Sequence, residues 1–234
     1  MIASLPMYAR PELAGPIKRY WDAIHDHAFV QHVTFDQTII GIEAWRRPDL
    51  FLSQTCGAPY RDHLANHVQL VGTPNARLPA CPPGYYQSVL IARDSITWAE
   101  AIRLPWTANE AGSQSGNYAP RMRAPAPLDE PIWSGSHLSS IDIVAKGQAD
   151  WAAIDAVTWE IGLRLGQGFG LVVWDRTEPT PALPYVTNLT NDPHSIAAAV
   201  SNAIAYLAPS DRDALCLYDL IQIPRDAYFA VPKP

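Results

Sequence analysis

The sequence predicts an α/β protein built as two lobes that share one chain, each a mainly parallel sheet flanked by helices. Three observations carry this. Short apolar runs alternate with segments of helical periodicity from one end of the chain to the other. The length, 234 residues, suits one large domain or two small ones. Extended crossing segments fall near Ser88–Arg93 and at Arg176–Pro184, the second holding three prolines. The expected divisions are residues 1–90, 91–177 and 178–234, with the first and third forming one lobe that contains both termini.

The elements follow in order. Met1 to Leu5 reads as a first strand. Pro11 and Glu12 open a helix in which Leu13, Ile17, Tyr20, Trp21 and Ile24 share a face, with Lys18, Arg19, Asp22 and Asp26 elsewhere. Leu50 to Leu52 is a buried strand, followed by the small polar loop Ser53–Gly57 and a helix over Ala58 to Asn66. That order places ligand groups at the carboxyl end of a sheet. Val68 to Val71 and Tyr86 to Ala92 are strands, and Thr97 to Leu104 is a helix. The loop Asn109 to Asn117 is rich in small and polar residues, and Ala124 to Pro131 is irregular.

Ser136 then caps a helix with Leu138, Ile141 and Val144 inward, and Gly147 stops it. Trp151 to Ile154 is a buried strand ending at Asp155. A helix from about Val157 to Leu165 and the strand Leu171 to Trp174 come next. After the crossing, Tyr185 to Thr187 is a strand. Asn191 or Asp192 caps a helix over His194 to Leu207 with Ile196, Val200, Ile204 and Leu207 in one stripe. Of the eight tryptophans, Trp21, Trp151 and Trp159 fall on core faces.

Composition narrows the function. Hydrophobic residues make up 48% and charged residues 17%, enough for a core and too ordered a balance for global disorder. The net charge is −6 and no Lys/Arg cluster is long enough to follow a phosphate backbone, so nucleic acid is a poor partner. An acidic protein still binds anions where backbone N–H groups set the local field. Cys56, Cys81 and Cys216 are an odd count without close spacing, and read as thiols. No apolar run reaches the roughly 20 residues of a membrane span. No basic region followed by an apolar stretch opens the chain, so no signal peptide is visible. As written the protein is expected in the cytoplasm, or in the periplasm if a leader was trimmed.

Two segments carry chemistry. Asn109-Glu110-Ala111-Gly112-Ser113-Gln114-Ser115-Gly116 presents small residues and two hydroxyls, an anion cradle if a helix follows and a plain turn otherwise. Gly135-Ser136-His137 puts His137 in the first turn of a helix, and Asp155 ends a buried strand; the alternative is that Ser136, His137 and Asp155 merely cap helices.

The run SQTCG-x-P-Y, VGTP, CPPGYYQSVL, N-x-x-x-SQSG and SGSHLSSIDIVAKGQADWAAIDAVTW resembles the phosphate/phosphite/phosphonate-type substrate-binding proteins of ABC transporters, and more closely their short leaderless members. The resemblance spans nearly the whole chain. It implies a periplasmic-binding-protein-like fold of type 2 with a ligand cleft between lobes. It also implies that Asn109, Ser113, Gln114, Ser115, Gly116 and His137 hold an oxyanion and that Asp155 meets a donor on the ligand. Thr55, Cys56, Gly57 and Tyr60 would line the first-lobe wall, with Tyr8 reaching in. The implied partners are a small anionic ligand, phosphate or phosphonate or similar, and an ABC transporter permease. No cofactor and no metal are implied.

Three rival readings remain. An enzyme would use Cys56 as nucleophile and His137 as base. Gly112-Ser113-Gln114-Ser115-Gly116 is no nucleophile elbow, because Gln114 stands at its centre. A metal would need His63 and His67, or His25, His27 and His32, but the zinc-protease glutamate is replaced by Leu64. A ligand sensor or scavenger in the cytoplasm is the third.

Overall fold

The structure is a computed structural model and describes residues 1–167 and 170–233. The chain divides into two compact units. The first comprises Met1–Tyr85 and Pro181–Ala230, and the second comprises Tyr86–Thr180 with the tail that begins at Val231.

In the first unit β1 (Ile2–Ser4) leads to a 3₁₀ turn at Pro11–Leu13 and then to α1 (Ala14–Ala28). The apolar stripe expected there is what the helix buries: Ile17, Tyr20, Trp21 and Ile24, with Leu13 just before it. The helix stops where Phe29 turns left-handed, at φ 52°. Then come β2 (Thr34–Phe35), α2 (Ile42–Trp45) and β3 (Leu50–Gln54). After β3 the helical stretch is a single α turn, α3 (Gly57–Pro59), running into a π-helical turn at Tyr60–Leu64. β4 (Val68–Asn75) follows, and β5 (Tyr85–Tyr86) lies where the chain leaves the unit.

The second unit starts with β6 (Ser88–Ala92), α4 (Trp98–Ala101) and β7 (Trp106–Ala108). The expected loop is helical from Gln114: a π-helical turn at Gln114–Tyr118 runs into α5 (Ala119–Arg123). β8 (Ile132–Trp133), α6 (His137–Ala145), β9 (Trp151–Asp155), α7 (Ala156–Arg164), β10 (Val172–Arg176) and β11 (Thr180–Pro181) complete this passage. In α6, Ile141 and Val144 are buried but Leu138 is not, against expectation. Each three-residue step falls about 60° short of a full turn, so a third residue at that spacing rotates off the buried face. Gly147 has φ +72° and closes the helix as predicted.

Back in the first unit, β12 (Tyr185–Asn188) precedes α8 (Pro193–Tyr206), capped by Asp192, whose carboxylate accepts from the N–H groups of His194 and Ser195. α9 (Pro209–Leu215), β13 (Asp219–Ile221) and α10 (Arg225–Phe229) finish the described chain.

Most strands of each sheet run in one direction, as expected, and a minority is reversed: β12 and β13 in the first sheet, β6 in the second. The first has the order β13-β4-β12-β3-β1-β2, and the second β10-β6-β9-β7-β8. β1 is parallel to β2 and β3, but β12 is antiparallel to both β3 and β4, and β13 to β4. In the second sheet β7 is parallel to β8 and β9, while β6 is antiparallel to β9 and β10. The reason is topological. Strands joined by helical crossovers run parallel, whereas β6 and β12 each follow a passage between units and enter their sheets in the opposite sense.

Each unit has its own core. In the first, Tyr20, Trp21 and Ile24 of α1 pack with Val200, Ala203 and Ile204 of α8 over Phe51 and Leu52. In the second, Trp151 is fully buried, stacked on Trp106 at 5.0 Å, with Trp98 and Trp174 edge-on at 5.9 and 5.8 Å. Its indole N–H donates to the Ala101 carbonyl at 3.0 Å. Trp151→Ala should therefore lower unfolding stability by about 3–5 kcal/mol, the cost of emptying a large aromatic site, measured by urea denaturation.

Candidate functional site

In the second unit the parallel strands β8, β7 and β9 end on one edge, where α/β sheets place their ligands. Asn109 follows β7, Ser134 to His137 follow β8, and Asp155 ends β9. The loops are tied together: Ser134 N–H donates to the Ala108 carbonyl at 2.9 Å and Gly135 N–H to the Asn109 carbonyl at 3.0 Å.

The helical turn at Gln114–Tyr118 packs on this edge. Ser113 is its N-cap, and its Oγ accepts from Gly116 N–H at 3.0 Å. Ser115 Oγ and His137 Nε2 share a hydrogen bond of 2.9 Å. The Ser115 carbonyl accepts from Ser88 Oγ at 2.8 Å, at the start of β6. The backbone N–H groups of Gln114 and Ser115, the first two of the turn, find no acceptor among the described residues. Gly116 has a steric reason. A Cβ there would collide with Asn109 Oδ1 and stand 3.2 Å from His137 Cε1. So Asn109, Ser113, Ser115, Gly116 and His137 are gathered in one cluster, as expected.

Two polar atoms of the cluster are buried without a hydrogen bond, Asn109 Oδ1 and His137 Nδ1. His137 is half-buried as a residue, yet this nitrogen is enclosed. Burial drives the ring's pKa down from 6.5 to about 4, opposed by a weaker backbone interaction with Ala153. The ring is neutral at pH 7, so it carries a single N–H, and its tautomer decides whether it donates to or accepts from Ser115. Gln114 is buried, and its side chain lines a cavity of about 360 Å³ with Ala119, Met122, Arg123, Thr177, Glu178, Thr180, Val231 and Pro232.

Asp155 is placed at the same edge, but its Oδ1 accepts from the N–H groups of Val157 and Thr158 at 2.8 and 3.0 Å. It caps α7, the structural alternative that the sequence had left open.

In the first unit, β1 and β3 are parallel with Ser4 beside Ser53, so the loops after them leave from one edge. Tyr8 lies in the turn after β1, and Thr55, Cys56 and Gly57 follow β3. Thr55 is fully buried; its N–H donates to the Pro184 carbonyl at 3.1 Å and its Oγ1 to the Cys56 carbonyl at 3.3 Å. Cys56 stands at the N-cap position of α3 without a side-chain capping bond, and a Cβ added at Gly57 would stand 3.5 Å from the Tyr228 ring. Tyr60 does not line a wall. Its ring is buried edge-on against Tyr228 at 5.3 Å, in the core with Ile2, Leu50 and Leu64. Cys56 belongs to the first unit and His137 to the second.

Sequence reasoning missed Ser88, which fixes the Ser115 carbonyl. Nothing in a buried strand start distinguishes it from a packing serine.

These features agree with what the chain is similar to. The model of the family described as ABC transporter, phosphonate, periplasmic substrate-binding protein matches residues 56–225, and the chain belongs to that family. Among solved structures, the phosphonate-binding protein PhnD1 of Prochlorococcus marinus in complex with methylphosphonate aligns with TM-score 0.76 at 16% identity, covering 97% of this chain and 94% of that one. A binding protein component of an ABC phosphonate transporter from Pseudomonas aeruginosa aligns at TM-score 0.67 and 15% identity, covering 97% and 82%. A Salmonella typhimurium periplasmic binding protein of high arginine specificity aligns at TM-score 0.62 and 13% identity, over 93% and 97%. At these identities the likeness is one of fold, the two-lobed binding-protein fold. No curated protein matches the sequence. Among the described residues, no helix is long and apolar enough to cross a membrane.

Two outcomes follow from the cluster. Gly116→Ala should cost about 1–3 kcal/mol of stability, since Asn109 and His137 must both give way, as read by thermal unfolding. The pH dependence has a definite sign. Between about pH 6.5 and 4 the unfolded chain protonates this histidine and the folded one does not, so stability falls as pH drops through that window. In His137→Gln the stability difference between pH 7 and pH 5 should be smaller than in the parent, as measured by urea unfolding at both values.

Proposed function

We propose that this chain binds a small oxyanion of the phosphonate or phosphate class, held by the second-unit cluster, and that it is a binding protein rather than an enzyme. The observation that carries this is the Ser115–His137 pair beside two unspent backbone N–H groups, those of Gln114 and Ser115. Preorganised N–H groups at a helix start stabilise negative charge without a cation. In this reading the neutral His137 keeps its hydrogen on Nε2 and donates to Ser115 Oγ, so that the hydroxyl hydrogen turns to a ligand oxygen. Asn109 fixes the turn from behind, and Gln114 borders the space for the ligand's substituent.

The relative from Prochlorococcus holds methylphosphonate, and we extend that ligand class to this chain. The two compact units are taken as the two lobes of the family, with the loops of Tyr8 and of Thr55 to Gly57 contributed by the first. We assign delivery to an ABC transporter permease as the role, and with it a periplasmic location. Recovery of the native protein in the periplasmic fraction supports delivery, whereas recovery in the cytosol turns the same binding to sensing.

The test is calorimetric. His137→Ala should weaken binding of methylphosphonate or inorganic phosphate by about 1.5–3 kcal/mol, the scale of a hydrogen bond to charge, or roughly 10- to 150-fold in Kd. Equal affinity in mutant and parent removes the cluster from the site.

A further inference from the structure

The first unit holds a concentration of cationic groups at the edge of its sheet opposite the Thr55–Gly57 loop. A cavity of about 280 Å³ is lined by Arg46, Arg61, Arg225, His63, His67 and Asp62, together with Ala65, Asn66 and Phe229. Its place follows from the topology. β3 and β4 are both antiparallel to β12 and so run parallel to each other. Arg46 precedes β3, and residues 63–67 precede β4. The cavity therefore sits at the edge where these strands begin, and the Thr55 loop leaves from the edge where β3 ends.

The charges there do not balance. Three guanidiniums face one carboxylate, in a protein whose net charge is −6. Arg61, its side chain 4% exposed, is committed to Asp62 at 2.9 Å. Among the described residues, Arg46 and Arg225 have no acidic partner. Each spends one Nη2 bond on a neutral oxygen of the same turn: Arg46 donates to the His63 carbonyl at 3.0 Å, and Arg225 to Asn66 Oδ1 at 3.0 Å. Arg225 is also steadied by the Phe229 ring, 4.9 Å below its guanidinium carbon. Two guanidiniums that come from distant parts of the chain are thus anchored to one turn, and among the described residues their remaining N–H groups find no acceptor. A planar guanidinium fork matches the paired oxygens of phosphate. Uncompensated like charges held side by side repel each other, and an anion between them removes that cost.

We propose that this cavity binds a small oxyanion of the phosphate class between Arg46 and Arg225. The proposal does not rest on the ligand reading of the second unit, and the experiment separates the two.

Inorganic phosphate is titrated calorimetrically into the full chain and into Ser115→Ala/His137→Ala, with and without Arg46→Gln/Arg225→Gln. Both arginines are exposed and each makes one hydrogen bond, so the glutamine pair keeps the fold, as the thermal unfolding midpoint will check. In the Ser115→Ala/His137→Ala protein, phosphate binding should persist and then weaken at least tenfold when the two arginines are replaced. Arg46→Lys/Arg225→Lys, which keeps the charge and loses the fork, should give an intermediate loss. The proposal is overturned if Ser115→Ala/His137→Ala alone abolishes phosphate binding, or if the arginine replacements change the remaining affinity by less than threefold. If Ser115→Ala/His137→Ala leaves phosphate affinity unchanged, the second-unit reading fails and the arginine arm still decides this one.

Discussion

The close approach at Gly116 is the constraint on which the second unit's chemistry depends. The Asn109 carboxamide and the His137 ring occupy the space a side chain would need. That lets the turn at Gln114–Tyr118 lie against the sheet edge, and it sets Ser115 Oγ 2.9 Å from His137 Nε2. Ser88 below and Ser113 beside the turn then fix its backbone. A hydrogen-bonded turn held from three sides has little freedom to reorganise, so its two unpaired N–H groups keep a fixed direction. The enclosed Nδ1 and the lowered pKa of His137 are the electrostatic cost of the same packing.

Topology supplies the rest. Only parallel strands end together, and the second sheet has three of them, β8, β7 and β9, side by side. Asn109, Gly135 and Asp155 are neighbours because their strands are. The reversed strand, β6, contributes support: its Ser88 reaches the turn at its carbonyl, not at its donors. The same logic holds in the first sheet. The loop after β3 and the segment before it lie at opposite ends of one five-residue strand, so a single unit can offer two separate polar regions without mixing their charges.

Much of this was legible in the sequence, and the reasons differ by residue. The stripe of α1 and the Asp192 cap are local patterns, and local patterns survive folding. Ser115 and His137 were legible through the motif pair, since neither spacing nor composition ties residues 22 apart. Tyr60 was misplaced because an aromatic beside a polar loop reads as a wall residue, while Tyr228, which buries it, lies far along the chain. Leu138 was misplaced by three-residue spacing, which drifts around a helix. The parallel majority was legible from the alternation of strands and helices, but which strands are reversed was not. Val68 to Val71 and Tyr185 to Thr187 look alike as apolar runs, and only the passage between units decides that one enters the sheet reversed.

The proposed roles of the cluster and of the arginine cavity would be two physical routes to the same class of ligand in an acidic chain. In the cluster no named donor carries a formal charge at neutral pH. Its basic neighbours are already spent: Arg121 donates to Asn117 Oδ1 and the Leu128 carbonyl, and Arg123 pairs with Asp175. Donors of this kind act over hydrogen-bond distance and select by the direction of oxygens, at the expense of burying unpaired polar atoms. The cavity in the first unit instead keeps full charges near water, where screening weakens each one and direction matters less. A site that must tell one oxyanion from another gains from the first arrangement. A site that only has to hold negative charge can use the second, and that division of labour follows from where each sheet leaves its donors buried or exposed.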